Sequence, residues 1–325
     1  MKELLRRLRN AYLTFFGRLP ALREAAVYPD DVFLVSFLKS GNTWLRFLLG
    51  NLVYQETPLT FADVEQRMPS IYDSTDREMQ LVSPPRYIKS HEPFHPRYQN
   101  VIYIVRDPRD VAVSYYHFAL KMGKMPADFL IDDFVKDLIA DNVRNPCGTW
   151  ADHVMGWLAM ERSREKFLLL RYEDLIDDTA RELSRVATFL NIPADEKRLN
   201  RAIELSSADR MRGLEKEEWK KWNVTRRSRK EIPFIRAAKS KQWSEALSPQ
   251  SVMAIEAAWG PVMRALGYKL ANDPAKLAAT SEAWARWEAQ VGVLWPERLE
   301  RQPATGVSGC LGDRKNLVRS EPTSF

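Results

Sequence analysis

Four short runs of apolar residues, spaced along the first half of the chain, predict the strands of a buried sheet. They are VFLVSF at 32–37, RYIKS at 86–90, VIYIV at 101–105 and FLLLRY at 167–172. Strands that are buried on both faces carry continuous apolar runs rather than an alternation of apolar and polar residues, and this is typical of parallel sheets.

Helical patterns of apolar residues lie between and after these runs. They cover residues 43–55, 108–121, 149–164, 179–190, 194–205 and 249–266, and a further helical stretch rich in tryptophan covers 270–299. Strands that alternate with helices predict an α/β fold, with a parallel β-sheet flanked by helices on both faces. In such folds ligands bind at the carboxyl ends of the strands.

The two ends of the chain differ from this pattern. We expect a basic helix at 1–30, a main domain at 31–270, a helical extension at 271–299 and a flexible tail at 300–325. The N-terminal segment MKELLRRLRNAYLTFF mixes leucines with arginines and lacks the apolar core of a signal peptide. It has two interpretations: a capping helix packed on the domain, or a helix in weak peripheral contact with a membrane surface.

The composition narrows the class of protein. Of 325 residues, 45% are hydrophobic and 28% are charged, as in a globular chain with a sizeable core. No run approaches the roughly 20 apolar residues of a membrane span. Two distant cysteines, Cys147 and Cys310, allow no disulfide framework, so we expect a cytoplasmic location, with membrane association only through the N-terminal helix. The net charge of +6 permits an anionic ligand without selecting its class.

The first predicted strand ends in FLKSGNTW, which is followed at once by a helical pattern. A strand, a short loop and a helix start form a phosphate-binding arrangement, because the first backbone N–H groups of a helix are unpaired and the helix dipole is positive there. Gly41 allows close approach of an anion, Lys39 adds a charge, and Ser40 and Thr43 add hydroxyl donors. The loop is not a Walker A motif, because Lys39 precedes its only glycine. An ordinary strand-to-helix turn is the alternative.

A second candidate anion site follows the strand at 101–105. Arg106 ends the strand, Asp107 and Pro108 are favourable residues for starting a helix, and Ser114 lies about two turns further on. The alternative is a plain helix start in which Arg109 pairs with Asp110 at the surface.

Together these motifs resemble the sulfotransferases that use 3′-phosphoadenosine 5′-phosphosulfate (PAPS). That family has a YPKSGTTW-like loop after its first strand, a K-[ST]-H segment, an R-[ND]-x-[RK]-D-x-x-x-S segment and a later Y-E-D. The corresponding residues here are SFLKSGNTW, Lys89–His91, Arg106–Ser114 and Tyr172–Asp174, in the same order. The resemblance covers about 32–268 and implies a P-loop-like sulfotransferase fold.

The resemblance also assigns roles to individual residues. It implies that the 5′-phosphosulfate is held by Lys39, Ser40, Gly41, Asn42 and Thr43. It implies that the adenosine and its 3′-phosphate are held by Trp44, Arg106, Ser114, Tyr172, Ser206 or Ser207, and Arg236. Three residues depart from the family pattern: Ala208 replaces an aromatic residue, and Ala237 and Ala238 follow Arg236 in place of lysine and glycine. The family's dimer motif is not recognisable near 243–253, so the oligomeric state stays open.

Sulfuryl transfer to a hydroxyl needs a base that removes the proton of the weak nucleophile. His91 is the candidate, since histidine titrates near neutral pH, and the resemblance gives it the same role. Lys89 lies two residues before His91 in a predicted strand end, so both side chains project to one face. Lys39 and Lys89 are the candidate cations for the charge on the departing phosphate, and no metal is required.

Three other interpretations of the sequence are possible. A P-loop kinase-like phosphotransferase would need a Walker A loop and a magnesium-binding aspartate. A non-catalytic polyanion-binding protein would rest on the basic cluster Arg226, Arg227, Arg229 and Lys230, although basic runs are commonly solvated and we expect no nucleic-acid partner. The HEPFH sequence at 91–95 matches the zinc motif H-E-x-x-H, but prolines at 93 and 96 oppose the helix that motif requires.

The acceptor is the least defined part of the prediction. We expect the loops at 58–83 and 123–148 to frame its pocket, with some apolar lining. A small alcohol or phenol, a sugar and a lipid headgroup are all compatible. The basic segment at 216–230 mildly favours an anionic acceptor.

Overall fold

The computed structural model describes residues 26–143, 145, 147–159, 166–220, 222, 224–226, 228–236 and 238–295. The predicted N-terminal helix up to residue 25, the end of the pattern at 160–164 and the tail at 300–325 lie outside the described residues. No helix in the described part of the chain is both long and apolar enough to cross a membrane.

Four parallel strands form the sheet. They are β1 (Val32–Ser36), β2 (Tyr87–Ser90), β3 (Asn100–Val105) and β4 (Phe167–Arg171), in the order β2-β1-β3-β4. Each matches one predicted apolar run to within one residue at either end. In the register of the pairs, Leu34 lies beside Lys89 on one side and beside Ile102 on the other.

Helices surround the sheet. They are α1 (Asn42–Val53), α2 (Phe61–Arg67), α3 (Asp76–Gln80), α4 (Pro108–Lys121), α5 (Ile131–Ile139), α6 (Trp150–Leu158), α7 (Tyr172–Asp177), α8 (Thr179–Phe189), α9 (Glu196–Leu205), α10 (Ala208–Glu218), α11 (Trp243–Ala246), α12 (Pro249–Ala265), α13 (Pro274–Ala278) and α14 (Glu282–Leu294).

Helices cover both faces of the sheet, as the alternation of elements predicts. Successive strand residues point to opposite faces. Phe33 and Val35 belong to a core shared with α4, α6, α12 and α14, whereas Leu34 belongs to a separate core shared with α1, α8 and α9. The predicted helical extension after 270 joins the first of these cores, since Trp287 is buried there.

The strand order creates a crevice at the carboxyl edge of the sheet. The chain leaves β1 to form β2 on one side, and then crosses over to form β3 on the other side of β1. Ligands in open α/β sheets bind where the strand order reverses in this way. The loops after Ser36 and Val105 therefore face each other across the crevice.

Candidate functional site

The loop between β1 and α1 is shaped around a glycine that no other residue could replace without strain. Gly41 has a φ of 105°, in the left-handed region, and directly precedes α1. A Cβ at this position would lie 2.5 Å from Cδ2 of Tyr172. No side chain caps the helix start, so its first backbone N–H groups are available to an anion.

Ser40 and Asn42 each contain a buried polar atom without a hydrogen-bond partner among the described residues. These atoms are Ser40 Oγ and Asn42 Oδ1. The Asn42 amide nitrogen donates to the carbonyl of Leu34 at 2.8 Å, which ties the loop to β1. Buried polar atoms are normally paired; of these two residues, Asn42 lines the cavity described below, where a ligand with a hydrogen-bond donor could pair its amide oxygen.

Arg106 brings the second predicted anion site against the first. Its Nη1 donates to the carbonyl of Lys39 at 3.4 Å, and its Nη2 donates to the carbonyl of Lys239 at 3.1 Å. The guanidinium carbon lies 4.2 Å from the centre of the Tyr172 ring. The two motifs therefore line one site, as required if a single molecule is to contact both.

A cavity of about 490 Å³ opens at this edge of the sheet. The predicted site residues in its wall are Lys39, Gly41, Asn42, Thr43, Trp44, Lys89, His91, Arg106, Ser114, Tyr172 and Arg236. Ser40, Ser206 and Ser207 are the predicted residues that do not line it.

The cavity holds more positive charge than its neighbours neutralise. Burial, followed by the nearby charges of Arg106 and Lys89, lowers the pKa of Lys39 to about 7. The Lys39 ammonium sits between two aromatic rings, 4.4 Å from the centre of Phe118 and 3.9 Å from that of Phe234. Burial and then Arg106 also lower the pKa of Arg236. Cations that depress one another's pKa favour an anionic ligand.

His91 is fixed by three contacts with distant segments. Its Nδ1 lies 2.8 Å from the carbonyl oxygen of Ser36. Its backbone N–H donates to the hydroxyl of Tyr72 at 3.0 Å, and its carbonyl accepts from the thiol of Cys147 at 2.9 Å. Because a carbonyl can only accept, we assign the proton to Nδ1, which leaves Nε2 with a free lone pair.

The surroundings of His91 also keep its ring neutral. Burial lowers its pKa well below the usual value, and the positive charge of Lys89 adds to this effect. Burial is likewise the largest cause of the lowered pKa of Lys89, followed by Arg46. A neutral imidazole with an open Nε2 has the form that a general base requires.

Of the residues predicted to hold the adenosine, some line the cavity and others do not. The indole N–H of Trp44 donates to the carbonyl of Ser206 at 3.0 Å, and its ring lies edge-on to Tyr172 at 5.8 Å. The Ser206 hydroxyl accepts from Asn51 at 3.0 Å, and Ser207 caps the start of α10. Contact of either serine with a nucleotide stays a prediction.

A segment that closes one side of the cavity was not foreseen from the sequence. This cover segment, residues 228–236, is anchored by Lys121, whose ammonium donates to the carbonyl of Ile232 at 2.6 Å. The Glu215 carboxylate lies 3.3 Å from that ammonium and accepts the N–H groups of Phe234 and Ile235 at 2.6 and 2.9 Å. The segment carries Arg229 and Lys230 of the predicted basic cluster; Arg227 lies outside the described residues.

One alternative and one expectation from the sequence need correction. Arg109 does not form a surface pair with Asp110, because it is buried and pairs at 2.6 Å with both Asp107 and Glu256. The carboxylate of Asp110 instead lies 3.8 Å from Arg106. The expected acceptor loops also differ: the segment 58–83 lines the cavity, but no described residue of 123–148 does.

The zinc interpretation has no support in the described geometry. The backbone from residue 91 to 99 contains no helix, so the two histidines of HEPFH cannot share a helical face. Within the described ranges, no three His, Cys, Asp or Glu side chains are grouped as metal ligands.

Comparisons with known proteins agree with this arrangement. Residues 29–267 match the family model described as a sulfotransferase domain. Mouse sulfotransferase 1B1 is 30% identical over 207 residues, which are 59% of this chain and 68% of that protein. Human sulfotransferase 2B1 is 30% identical over 198 residues, 57% of this chain and 53% of that protein.

Two solved structures share the fold. Mouse sulfotransferase SULT7A1, complexed with PAP, is 21% identical with a TM-score of 0.61, over 74% of this chain and 86% of that one. A retinol dehydratase in complex with retinol and PAP is 20% identical with a TM-score of 0.61, over 71% of this chain and 80% of that one.

Proposed function

Because the chain belongs to the sulfotransferase domain family, we propose that it transfers a sulfuryl group from PAPS to a hydroxyl or amine of a small acceptor, with His91 as general base. The observation that carries this proposal is the single cavity onto which Lys39, Arg106 and His91 all open. An anionic donor, its second phosphate and the base for the acceptor can meet there.

The donor fits the charges and unpaired groups of the site. The start of α1, with Gly41 before it, and Lys39 receive the phosphosulfate end. Arg106 and Ser114 receive the 3′-phosphate, the group that separates PAPS from ordinary adenine nucleotides. Trp44 and Tyr172 provide aromatic surface for the adenine.

The reaction breaks one S–O bond and forms another. The acceptor oxygen attacks sulfur while Nε2 of His91 takes the hydroxyl proton, and the bridging oxygen leaves with the 5′-phosphate of adenosine 3′,5′-bisphosphate (PAP). Negative charge grows on that oxygen, where Lys39 and Lys89 stabilise it electrostatically. Nδ1–H of His91 donates to Ser36 throughout, and the Ser36 carbonyl stabilises the imidazolium that forms.

The class of acceptor, the membrane contact and the cellular location have less support than the sulfuryl transfer itself. We propose a small-molecule acceptor; the related retinol dehydratase was solved with retinol and also with androsterone. Sugar and lipid acceptors, an N-terminal membrane contact and a cytoplasmic location stay predictions.

The test is transfer of labelled sulfate from PAPS to a set of hydroxyl and amine acceptors. We expect His91→Ala to retain PAP binding and to lose turnover by about 10²–10⁴-fold, the usual contribution of a general base. We expect Lys39→Ala to bind the donor more weakly than the wild type. His117→Ala is the matched control, since His117 does not line the cavity.

The outcomes separate the alternatives. Normal turnover by His91→Ala would contradict the assignment of the base. Phosphate transfer from ATP without sulfate transfer from PAPS would favour the kinase-like alternative. Binding of polyanions that weakens steeply with salt, without turnover, would favour the non-catalytic one.

A further inference from the structure

His91 lies just beyond the end of a strand, where the ladder of backbone hydrogen bonds no longer holds the chain. The last residue pair between β1 and β2 is Val35 with Ser90, and β2 is at the edge of the sheet. The backbone from residue 91 to 99 forms no helix. The segment that carries the proposed base therefore needs another support if the imidazole is to keep one orientation.

Side chains provide this support, because all four backbone polar groups of His91 and Glu92 are hydrogen-bonded to side chains. The His91 N–H donates to the Tyr72 hydroxyl at 3.0 Å. The Glu92 N–H donates to the Ser90 hydroxyl at 3.1 Å. The His91 carbonyl accepts from the Cys147 thiol at 2.9 Å. The backbone on either side of the proposed base is therefore tied to other parts of the fold.

The carbonyl of Glu92 accepts two hydrogen bonds, and both come from α6. His153 Nε2 donates at 3.0 Å and the indole N–H of Trp157 donates at 2.9 Å. These two residues are four apart, so they lie on the same face of the helix. We assign the His153 proton to Nε2, since a carbonyl can only accept, and Nδ1 then accepts from the Tyr103 hydroxyl at 2.8 Å. Burial lowers the pKa of His153 to about 4, so the ring is neutral and its one N–H points to Glu92.

The three donors to these carbonyls come from one stretch of the chain and lie outside the wall of the reaction cavity. Cys147, His153 and Trp157 are all buried, and none of them lines the cavity, whereas His91 does. Substitution of any of the three therefore removes no direct contact with the sulfate donor or the acceptor. An effect on turnover would have to act through the backbone at residues 91 and 92.

We propose that Cys147, His153 and Trp157 are positioning residues for the proposed base. By holding the carbonyls of His91 and Glu92, they fix the orientation of the imidazole at the cavity. Catalytic groups need to be held within about 0.5 Å of their productive position, and a misplacement of about 1 Å can lower the rate about 100-fold. The inference rests on the proposed sulfuryl transfer, because it takes His91 as the base.

Two tryptophans on α6 provide a matched pair of variants. Trp150 and Trp157 are both fully buried. The indole N–H of Trp150 has no hydrogen-bond partner among the described residues, whereas that of Trp157 donates to Glu92. Trp150→Phe and Trp157→Phe therefore remove similar packing, and only the second removes a hydrogen bond to the backbone beside the base. Cys147→Ala removes the thiol that holds the His91 carbonyl, and Cys147→Ser keeps a donor at that position.

The first readout is kcat for sulfate transfer, measured together with the KM for PAPS and the affinity for PAP. We expect Cys147→Ala to lower kcat about tenfold and Trp157→Phe to lower it about threefold, since His153 still donates to Glu92 in the second variant. The two donor parameters should stay as in the wild type, and Cys147→Ser and Trp150→Phe should keep a kcat close to that of the wild type. A purely structural role would lower the thermal stability of both tryptophan variants without separating their kcat values.

The second readout does not depend on turnover: nitrogen-15 NMR reports which ring nitrogen of each histidine carries the proton. The chain has four histidines, so the signals of His91 are assigned by their absence in His91→Ala. In the wild type we expect one tautomer of His91, with the proton on Nδ1, because the Ser36 carbonyl accepts it. In Cys147→Ala we expect a mixture of both tautomers, because the ring is no longer held against that carbonyl.

Two results would overturn the inference. One is an unchanged kcat or an unchanged His91 tautomer in Cys147→Ala. The other is an equal kcat for Trp157→Phe and Trp150→Phe. Failure of the proposed function would look different, since the wild type would then transfer no sulfate to any acceptor, while the NMR comparison would still report whether Cys147 orients the His91 ring.

Discussion

Lys39 should take up a proton when the donor binds. In the free protein its pKa is about 7, because burial and then the charges of Arg106 and Lys89 disfavour the ammonium. An anion placed against Lys39 favours the charged form and raises its pKa toward the ordinary value of about 10.4. At a pH between these two pKa values, binding of the donor is therefore coupled to protonation of Lys39.

The size of the uptake follows from the free pKa. For a lysine with a pKa of about 7, the deprotonated fraction is about 0.1 at pH 6, 0.5 at pH 7 and 0.9 at pH 8. The same numbers are the protons that Lys39 gains on binding. The affinity should fall by about tenfold per pH unit above pH 8, until the pKa of the complex is reached.

The assay is calorimetric titration with PAP at pH 8 in buffers of different ionisation enthalpy. At this pH the phosphates are already ionised, since the second pKa of a phosphate is about 6. The difference in proton uptake between wild type and Lys39→Met isolates Lys39 from Lys89, whose pKa is also lowered. Lys136→Met is the control, because Lys136 is exposed on α5.

A difference near 0.9 proton between wild type and Lys39→Met is the expected result. A difference close to zero, or an affinity for PAP that does not change between pH 7 and 9, would refute the reasoning. Lys39 would then be charged already in the free protein.

Three further substitutions test the local geometry. Gly41→Ala should lower the free energy of unfolding by about 2–4 kcal/mol in urea titrations and should abolish PAP binding. The reason is that the backbone there has a φ that alanine rarely adopts, and that the added Cβ would clash with Tyr172. Unchanged stability would contradict this prediction. Tyr72→Phe removes the hydroxyl that accepts the backbone N–H of His91 and so helps to position His91. We expect kcat to fall about tenfold while the KM for PAPS stays constant. A change in KM alone would refute this positioning role. Glu215→Ala should release the cover segment to limited trypsin digestion and raise the KM for PAPS; resistance equal to wild type would contradict its role as an anchor.

Most of the fold was predictable because its signals are local. β1 and β3 are buried on both faces, so each one stands out as an apolar run in the sequence. The start of α4 was equally clear, since Asp107 caps the helix and Pro108 is its first residue.

The parts that were missed depend on contacts between distant residues. The cover segment is held by Lys121 and Glu215, which come from α4 and α10, and no local pattern links them. The buried pair of Arg109 with Glu256 was missed for the same reason, and it rules out the alternative of a surface pair with Asp110. A charged residue in a helical pattern looks exposed until the element that covers it is known.

The position of a candidate site residue followed from the sequence where a motif fixes the backbone, but not where a side chain has a choice of partners. The loop at Lys39 and Gly41 has a fixed position between β1 and α1. Ser206, in contrast, lies at the end of α9, where its hydroxyl accepts from Asn51 instead of lining the cavity.

Competitive binding of PAP and 5′-AMP to the wild type and to Arg106→Met is the most direct test of the central claim that one donor contacts both Lys39 and Arg106. The account predicts that the wild type prefers PAP by at least about 100-fold, since charge-assisted bonds to the 3′-phosphate contribute roughly 3 kcal/mol or more together. It also predicts that Arg106→Met loses most of this preference while its affinity for AMP changes little. Equal affinity of the wild type for PAP and AMP would contradict the account.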